Sequence, residues 1–336
     1  MAIAKRQWFS GWQGWVIAGI SAVILGWSSP VRAEHEIQNI IDSIEPYAAK
    51  EALSGKVTIV GSGSLASLAD MWSREIKVFH KDAVVEATGG GSEQGLEHLL
   101  SKPGDVAAVT RPLELEDIEK LKKGGLKDPV AIIIGLDALA VFVHPKNPLQ
   151  QITPVQFKQI YCEIEKGSVA ATWGKVGVAD GFEEKAISVF DRGASSGTQV
   201  FIERYLLQGS KIRKDAKNKE SNIELVNSVA ADEGGIAIAP FYLRSDKVKV
   251  LPVLVGDQLV NADESTILRG QYPLLRPLCL VFDRGGKPED VARIKAVLHY
   301  ILSREGQLDA VKAGYFPLNI DQIRQQQDVL GVEMVR

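Results

Sequence analysis

Arg192, Ser196, Gly197 and Thr198 lie in the run 188–206, where an apolar stretch ends on a guanidinium and helix-forming sequence opens four residues later with hydroxyls and a glycine. Those residue types suit a tetrahedral oxyanion. The first amides of a helix have no intrahelical acceptor, Ser and Thr hydroxyls add donors, and Gly lets the backbone come close to a ligand. An arginine at the strand end adds a full charge and a two-pronged donor fork. The same residues also read as an ordinary N-cap, because Ser and Thr are common capping residues. The rest of the chain weighs against that plain reading. Gly61, Ser62, Gly63 and Ser64, followed by Leu65, join a strand to a helix, and Thr88 to Ser92 do the same through three glycines, with Ser92 placed as the N-cap. Three glycine- and hydroxyl-rich turns at helix starts point past capping to anion binding.

The elements that must hold these turns alternate along the chain. Strands are expected over 56–60, 84–87 and 106–109 and helices over 64–79 and 92–100, which argues for parallel sheet with covering helices. Residues 129–143 are almost continuously apolar, as a buried central strand would be, and Pro145 and Pro148 break the chain after them. A second block carries helices over 154–161, 196–207 and 221–231 and strands over 186–190 and 235–240. The chain then returns through a strand over 272–282 and closes with helices over 288–303 and 306–313. The fold class is therefore α/β, with two lobes of mixed or parallel sheet and flanking helices joined by two hinge crossings. The expected division is a signal peptide over 1–33, a polar and partly helical leader over 34–55, a first lobe from 56–143 and 250–336, and a second lobe over 144–249. Ligands of open α/β sheets sit beyond the carboxyl ends of strands, so the expected site is a cleft between the lobes.

Composition narrows the function. At 336 residues, with 45% hydrophobic and 24% charged residues, the chain can fill two globular cores. Lys5 and Arg6, the apolar stretch 14–27 and the small residues near Ala33 read as a secretory signal peptide, and the apolar run is short for a membrane anchor, the competing reading. Cleavage after Ala33 removes Lys5, Arg6 and Arg32 and no acid, leaving 36 basic against 42 acidic residues and a net charge of −6. Such a balance excludes the basic footprint of a nucleic-acid binder, and an anion would have to be held by local dipoles against the global charge. Cys162 and Cys279 are the only cysteines, and their separation leaves open whether they pair. His35, His80, His98, His144 and His299 are scattered without metal-ligand spacing, and Ser196 has no evident partner base. Neither a catalytic residue, nor a metal, nor a cofactor is expected.

Taken together, the runs 58–64, 89–92, 105–113, 137–141, 172–174, 192–198 and 314–318 resemble, in content and order, the phosphate-binding proteins of phosphate ABC transporters, of the type II periplasmic-binding-protein fold. The resemblance implies a periplasmic, monomeric receptor that captures inorganic phosphate and delivers it to ABC permease subunits in the membrane. It places ligand-binding roles on Ser64 and the Leu65 amide, on Ser92, and on Arg192, Ser196, Gly197 and Thr198. Many members carry an aspartate where this chain has Thr110, followed by Arg111. That aspartate accepts a hydrogen bond from a protonated phosphate and repels an unprotonated anion, whereas Thr110 can still accept one but brings no repulsive charge. Selectivity against sulfate then needs another acid, for which Asp137 is a candidate, while Arg111 either faces the anion or pairs with an acid and shapes the wall of the site, the second being the favoured reading. Two other readings share the same residues: a phosphate sensor or scavenger without a transporter, and a receptor for sulfate, molybdate or a phosphonate.

Overall fold

The computed structural model describes residues 30–49, 53–162, 169–194 and 196–331. Most of the expected signal peptide, residues 1–29, lies outside them. Among the described residues no helix is long and apolar enough to cross a membrane. Beyond residue 33 the chain divides into two compact units. Unit one comprises Ala138–Ala194 and Thr198–Leu275, and unit two comprises Glu34–Asp137, Ser195–Gly197 and Arg276–Arg336.

Unit two is built on β1 (Gly55–Gly61), β2 (Ala83–Gly89) and β3 (Val106–Val109), with β1 central and parallel to both neighbours. The helix Gly63–Phe79 follows β1 directly. Its apolar residues Leu65, Leu68, Ala69, Trp72 and Ile76 recur at the spacing of one helical face, and all are 1% exposed or less. Helix Ser92–Ser101 follows β2 and buries Leu96 and Leu99 in a cluster with Ala107, Val109 and Val281. β4 (Pro129–Val143) begins in this unit.

Unit one takes the rest of β4, and β5 (Ser188–Asp191), β6 (Lys217–Asn218) and β7 (Gly235–Pro240). β4 lies antiparallel to β7, and β5 runs parallel to both β7 and β6. β8 (Lys249–Leu251) adds to the other side of β4, and β9 (Val253–Val255) pairs with β10 (Gln258–Val260) in a hairpin absent from the sequence reading. The chain re-enters unit two with β11 (Leu275–Asp283), antiparallel to β3. The sheets are thus mixed, with the parallel pairings where the βα alternation placed them.

Several local features differ from the sequence reading. The helix expected over 196–207 is α-helical only over Gly197–Phe201 and continues as a π-helix over Ile202–Leu206, a change of turn that a 3.6-residue period does not register. The helices Leu115–Lys123 and Ile320–Leu330 have no counterpart in the sequence reading. The first buries only Leu121, and the second includes Gln326 on its buried side, where its Oε1 accepts from the Ile133 amide at 2.9 Å. Neither presents a full apolar stripe.

The leader is docked on unit two. After the helix Pro30–Asp42, Ile44 is 1% exposed, the Tyr47 amide donates to Glu305 at 2.6 Å, and the Tyr47 hydroxyl meets His80 Nε2 at 2.7 Å. The Tyr47 ring packs edge-on against Phe79 and Tyr300.

Two of the boundaries between the units fall inside strands, after Asp137 in β4 and before Arg276 in β11. These two residues pair with each other: Arg276 Nε and Nη2 reach Asp137 Oδ2 at 2.9 and 2.7 Å, with both side chains 2% exposed or less. Burial pushes the Asp137 carboxyl above its ordinary range, against the lowering effect of Arg276. Removing one partner of such a pair strands the other without water. Arg276→Met is expected to lower stability at neutral pH by about 3–5 kcal/mol. The loss should be smaller in mild acid, where the orphaned carboxyl takes up a proton, and Asp137→Leu combined with Arg276→Met should recover much of it. Thermal melts of the three proteins at two pH values check this.

Candidate functional site

The starts of the helices that follow β1 and β2 are built differently from most others in the chain. Thr153, Ser221, Asp263, Ser303 and Asn319 each accept a hydrogen bond from the amide three residues on, so their own side chains close those helices. At the helix Gly63–Phe79 the N-cap is Ser62, whose side chain makes no capping bond. At the helix Ser92–Ser101 the N-cap is Gly91, again without a side-chain cap. Ser92, expected as the capping residue, is instead the first residue of the helix. The correction has a backbone cause, since the cap position takes φ +106°, which glycine adopts freely. Early amides at these two starts are therefore not spoken for by capping side chains.

The hydroxyls that do not cap converge within unit two. Ser62 Oγ lies 3.3 Å from Thr110 Oγ1, and Ser92 Oγ accepts from the Thr110 amide at 3.2 Å. Ser62, Ser92 and Thr110 are 6%, 0% and 1% exposed. Gly61 permits this assembly, because with φ +142° any Cβ would stand 2.3 Å from the Ala108 carbonyl oxygen. Gly197 packs onto the same hydroxyls: a Cβ there would fall 2.4 Å from Thr110 Oγ1 and 2.7 Å from Ser92 Oγ. Ser64 is fixed from behind, its carbonyl accepting from the Tyr315 hydroxyl at 2.6 Å. The Leu65 amide, expected to face a ligand, donates to the Ser62 carbonyl at 3.0 Å, a bond that an anion would have to share.

Arg192 and Thr198 belong to unit one. Three donors of the Arg192 guanidinium hold the following loop: Nε to the Lys219 carbonyl at 3.1 Å, Nη1 to Asn222 Oδ1 at 3.0 Å, and Nη2 to the Glu220 carbonyl at 2.7 Å. Thr198 is 4% exposed and Ser196 half-buried. Arg192 thereby keeps a fixed orientation at the end of β5, the position the sequence assigned to it.

A model of the PBP superfamily domain matches residues 47–305 of the chain. The chain belongs to the PBP superfamily. Its sequence is 27% identical over 294 residues to the phosphate-binding protein PstS of Pseudomonas aeruginosa, covering 86% of this chain and 91% of that protein. It is 26% identical over 289 residues to Protein SphX of Synechococcus elongatus, covering 84% of this chain and 83% of that one. In fold it is similar to an ABC-type phosphate transport receptor from Vibrio cholerae, with a TM-score of 0.64, 22% identity, and coverage of 79% of this chain and all of that one.

In this PBP-superfamily chain two acids near the hydroxyl cluster in sequence, Glu93 and Asp117, are tied to one arginine. Arg111 is 1% exposed and donates to Glu93 Oε1 at 2.7 Å, to Asp117 Oδ2 at 2.6 Å and to the Pro112 carbonyl at 3.0 Å. Burial alone would lower its pKa, but the bonds to Asp117 and Glu93 outweigh that and hold it above its ordinary value. The Arg111 guanidinium is thus engaged by two carboxylates and a carbonyl of its own unit. Asp137, the candidate acid for selectivity, is taken up by Arg276. Cys162 and Cys279 are free, buried thiols, and burial pushes Cys279 up to about 12. Ser62 is the participant that residue-by-residue reading passed over, although it stood in the quoted turn.

The close approach at Gly197 gives a direct test. Gly197→Ala places a methyl against two short, immobile hydroxyl side chains, so ligand affinity is expected to fall by at least about tenfold while the melting temperature shifts by only a few degrees. Titration calorimetry and thermal melts of the variant measure the two effects separately.

Proposed function

We propose that this chain is an extracytoplasmic receptor that binds inorganic phosphate and delivers it to an ABC permease. The observation that carries the reading is the pair of helix starts without side-chain caps, at 62–65 and 91–94, beside the gathered hydroxyls of Ser62, Ser92 and Thr110. Uncapped helix starts offer N–H donors and the positive end of the helix dipole to an anion. In this proposal Ser64, the Leu65 amide, Ser92, Thr110, Arg192, Ser196, Gly197 and Thr198 are the groups that contact the anion. The relatives named for phosphate binding support the choice of phosphate among tetrahedral anions. Delivery to a permease follows if ligand stabilises one arrangement of the receptor that the membrane partner recognises, since a ligand shifts an equilibrium only by its differential affinity. Binding of this kind requires no covalent step, and the chain acts as a receptor and not as an enzyme.

Isothermal titration of the protein, stripped of bound anion, is expected to show one phosphate per chain. Arg192→Ala and Ser196→Ala should each weaken that binding by about tenfold or more, the scale of a lost charge-assisted or buried hydrogen bond, and leave a cooperative melt. Absence of phosphate binding by the unaltered protein, or unchanged affinity in both variants, would refute the assignment.

A further inference from the structure

Hydrogen-bond bookkeeping in the hydroxyl cluster leads beyond phosphate binding, on which this inference rests. Ser92 Oγ accepts from the Thr110 amide, so one of its lone pairs is committed and its own O–H proton points elsewhere as a donor. Ser62 and Thr110 differ from Ser92, because each faces another hydroxyl at 3.3 Å and either can be the donor. That separation is longer than the usual O–H···O range, whose most common value is about 2.8 Å, so the bond is weak and its direction reverses at little cost. When Ser62 donates to Thr110, the Thr110 proton is released toward a ligand. When Thr110 donates to Ser62, the ligand meets a Thr110 lone pair.

Three carboxylates of the same unit are engaged by arginines. Glu93 and Asp117 bind Arg111, and Asp137 binds Arg276. We propose that Ser62 and Thr110 form a reversible hydroxyl couple that sets the anion specificity of the site: it donates to an unprotonated oxygen and accepts from a protonated one. The couple would take the place of a fixed carboxylate acceptor and admit fully ionised tetrahedral anions as well as phosphate. Ser62 becomes a specificity-determining residue through Thr110, with no ligand contact of its own required.

Calorimetric titration with phosphate and with sulfate, in the wild type and in Ser62→Ala, Thr110→Val, the double variant and Thr110→Asp, tests this. The wild type is expected to bind sulfate within about tenfold of phosphate, because nothing in the couple penalises an anion without a proton. Each single variant should weaken phosphate by about five- to tenfold, and the double variant should be no weaker than the worse single one, since residues acting as a unit are not additive. Thr110→Asp should retain phosphate and lose sulfate by at least about 100-fold through like-charge repulsion. If the buried carboxylate prevents Thr110→Asp from folding, the wild-type anion ratio and the two-residue cycle still decide. Phosphate binding with sulfate rejected by more than about 100-fold in the wild type, or additive single effects, overturns the couple and leaves the phosphate reading standing. Binding of neither anion by the wild type overturns both.

Discussion

The first turn of an α-helix leaves backbone amides without acceptors inside the helix, and each start must satisfy them from somewhere else. Among the described residues five helices do so with a side chain from the residue just before them, the helix Leu115–Lys123 has a capping box between Glu114 and Asp117, and the helix Pro288–Ile301 opens on a proline that removes one donor outright. The helices after β1 and β2 do none of these. Their turns spend serines and threonines on one another, and their cap positions fall to a serine turned away and a glycine at positive φ. Much of unit two follows from that constraint. β1 must end on Gly61 so that the Ala108 carbonyl can approach, and Tyr315 must reach back to the Ser64 carbonyl to hold the turn that no cap holds.

Buried charge is the second organising element, and it works by subtraction. A chain with an acidic excess has to present a donor-rich surface to an anion, which means keeping nearby carboxylates occupied. Arg111 takes Glu93 and Asp117, and Arg276 takes Asp137. Both arginines are essentially inaccessible to water, and the Arg276–Asp137 pair is buried on both sides, so salt does not screen it as it would a surface ion pair. What remains among the gathered side chains of the cluster is neutral and hydroxylic.

The sequence made the scaffold readable where periodicity was strong. Leu65, Leu68, Trp72 and Ile76 recur on one helical face, and the apolar run of β4 announced a central strand, so the α/β class and most βα units could be placed. The helices Leu115–Lys123 and Ile320–Leu330 could not, because the first buries a single leucine and the second sets Gln326 between its buried Ile323 and Leu330, which breaks the apolar stripe. The π-turn after Phe201 left no signal either. At the site, composition identified the three turns and the resemblance chose residues within them. It did not reveal that Ser92 opens its helix instead of capping it, or that Ser62 turns to Thr110. Both outcomes depend on side-chain direction and backbone φ, which residue identity alone does not fix. Asp137 stood out in the sequence as a candidate acid for selectivity, but its partner lies 139 residues away on another strand.

Amide chemical shifts followed by NMR during a phosphate titration test the central claim most directly, because the protein contains its own controls. The account predicts large, saturable shifts for the amides of Ser64, Leu65, Glu93 and Gln94, at the starts that lack side-chain caps. The amides of Gln156, Glu224 and Gln322, whose hydrogen bonds go to Thr153, Ser221 and Asn319, should stay in place. Shifts spread equally over capped and uncapped starts, or absent from residues 63–65 and 92–94, would contradict it.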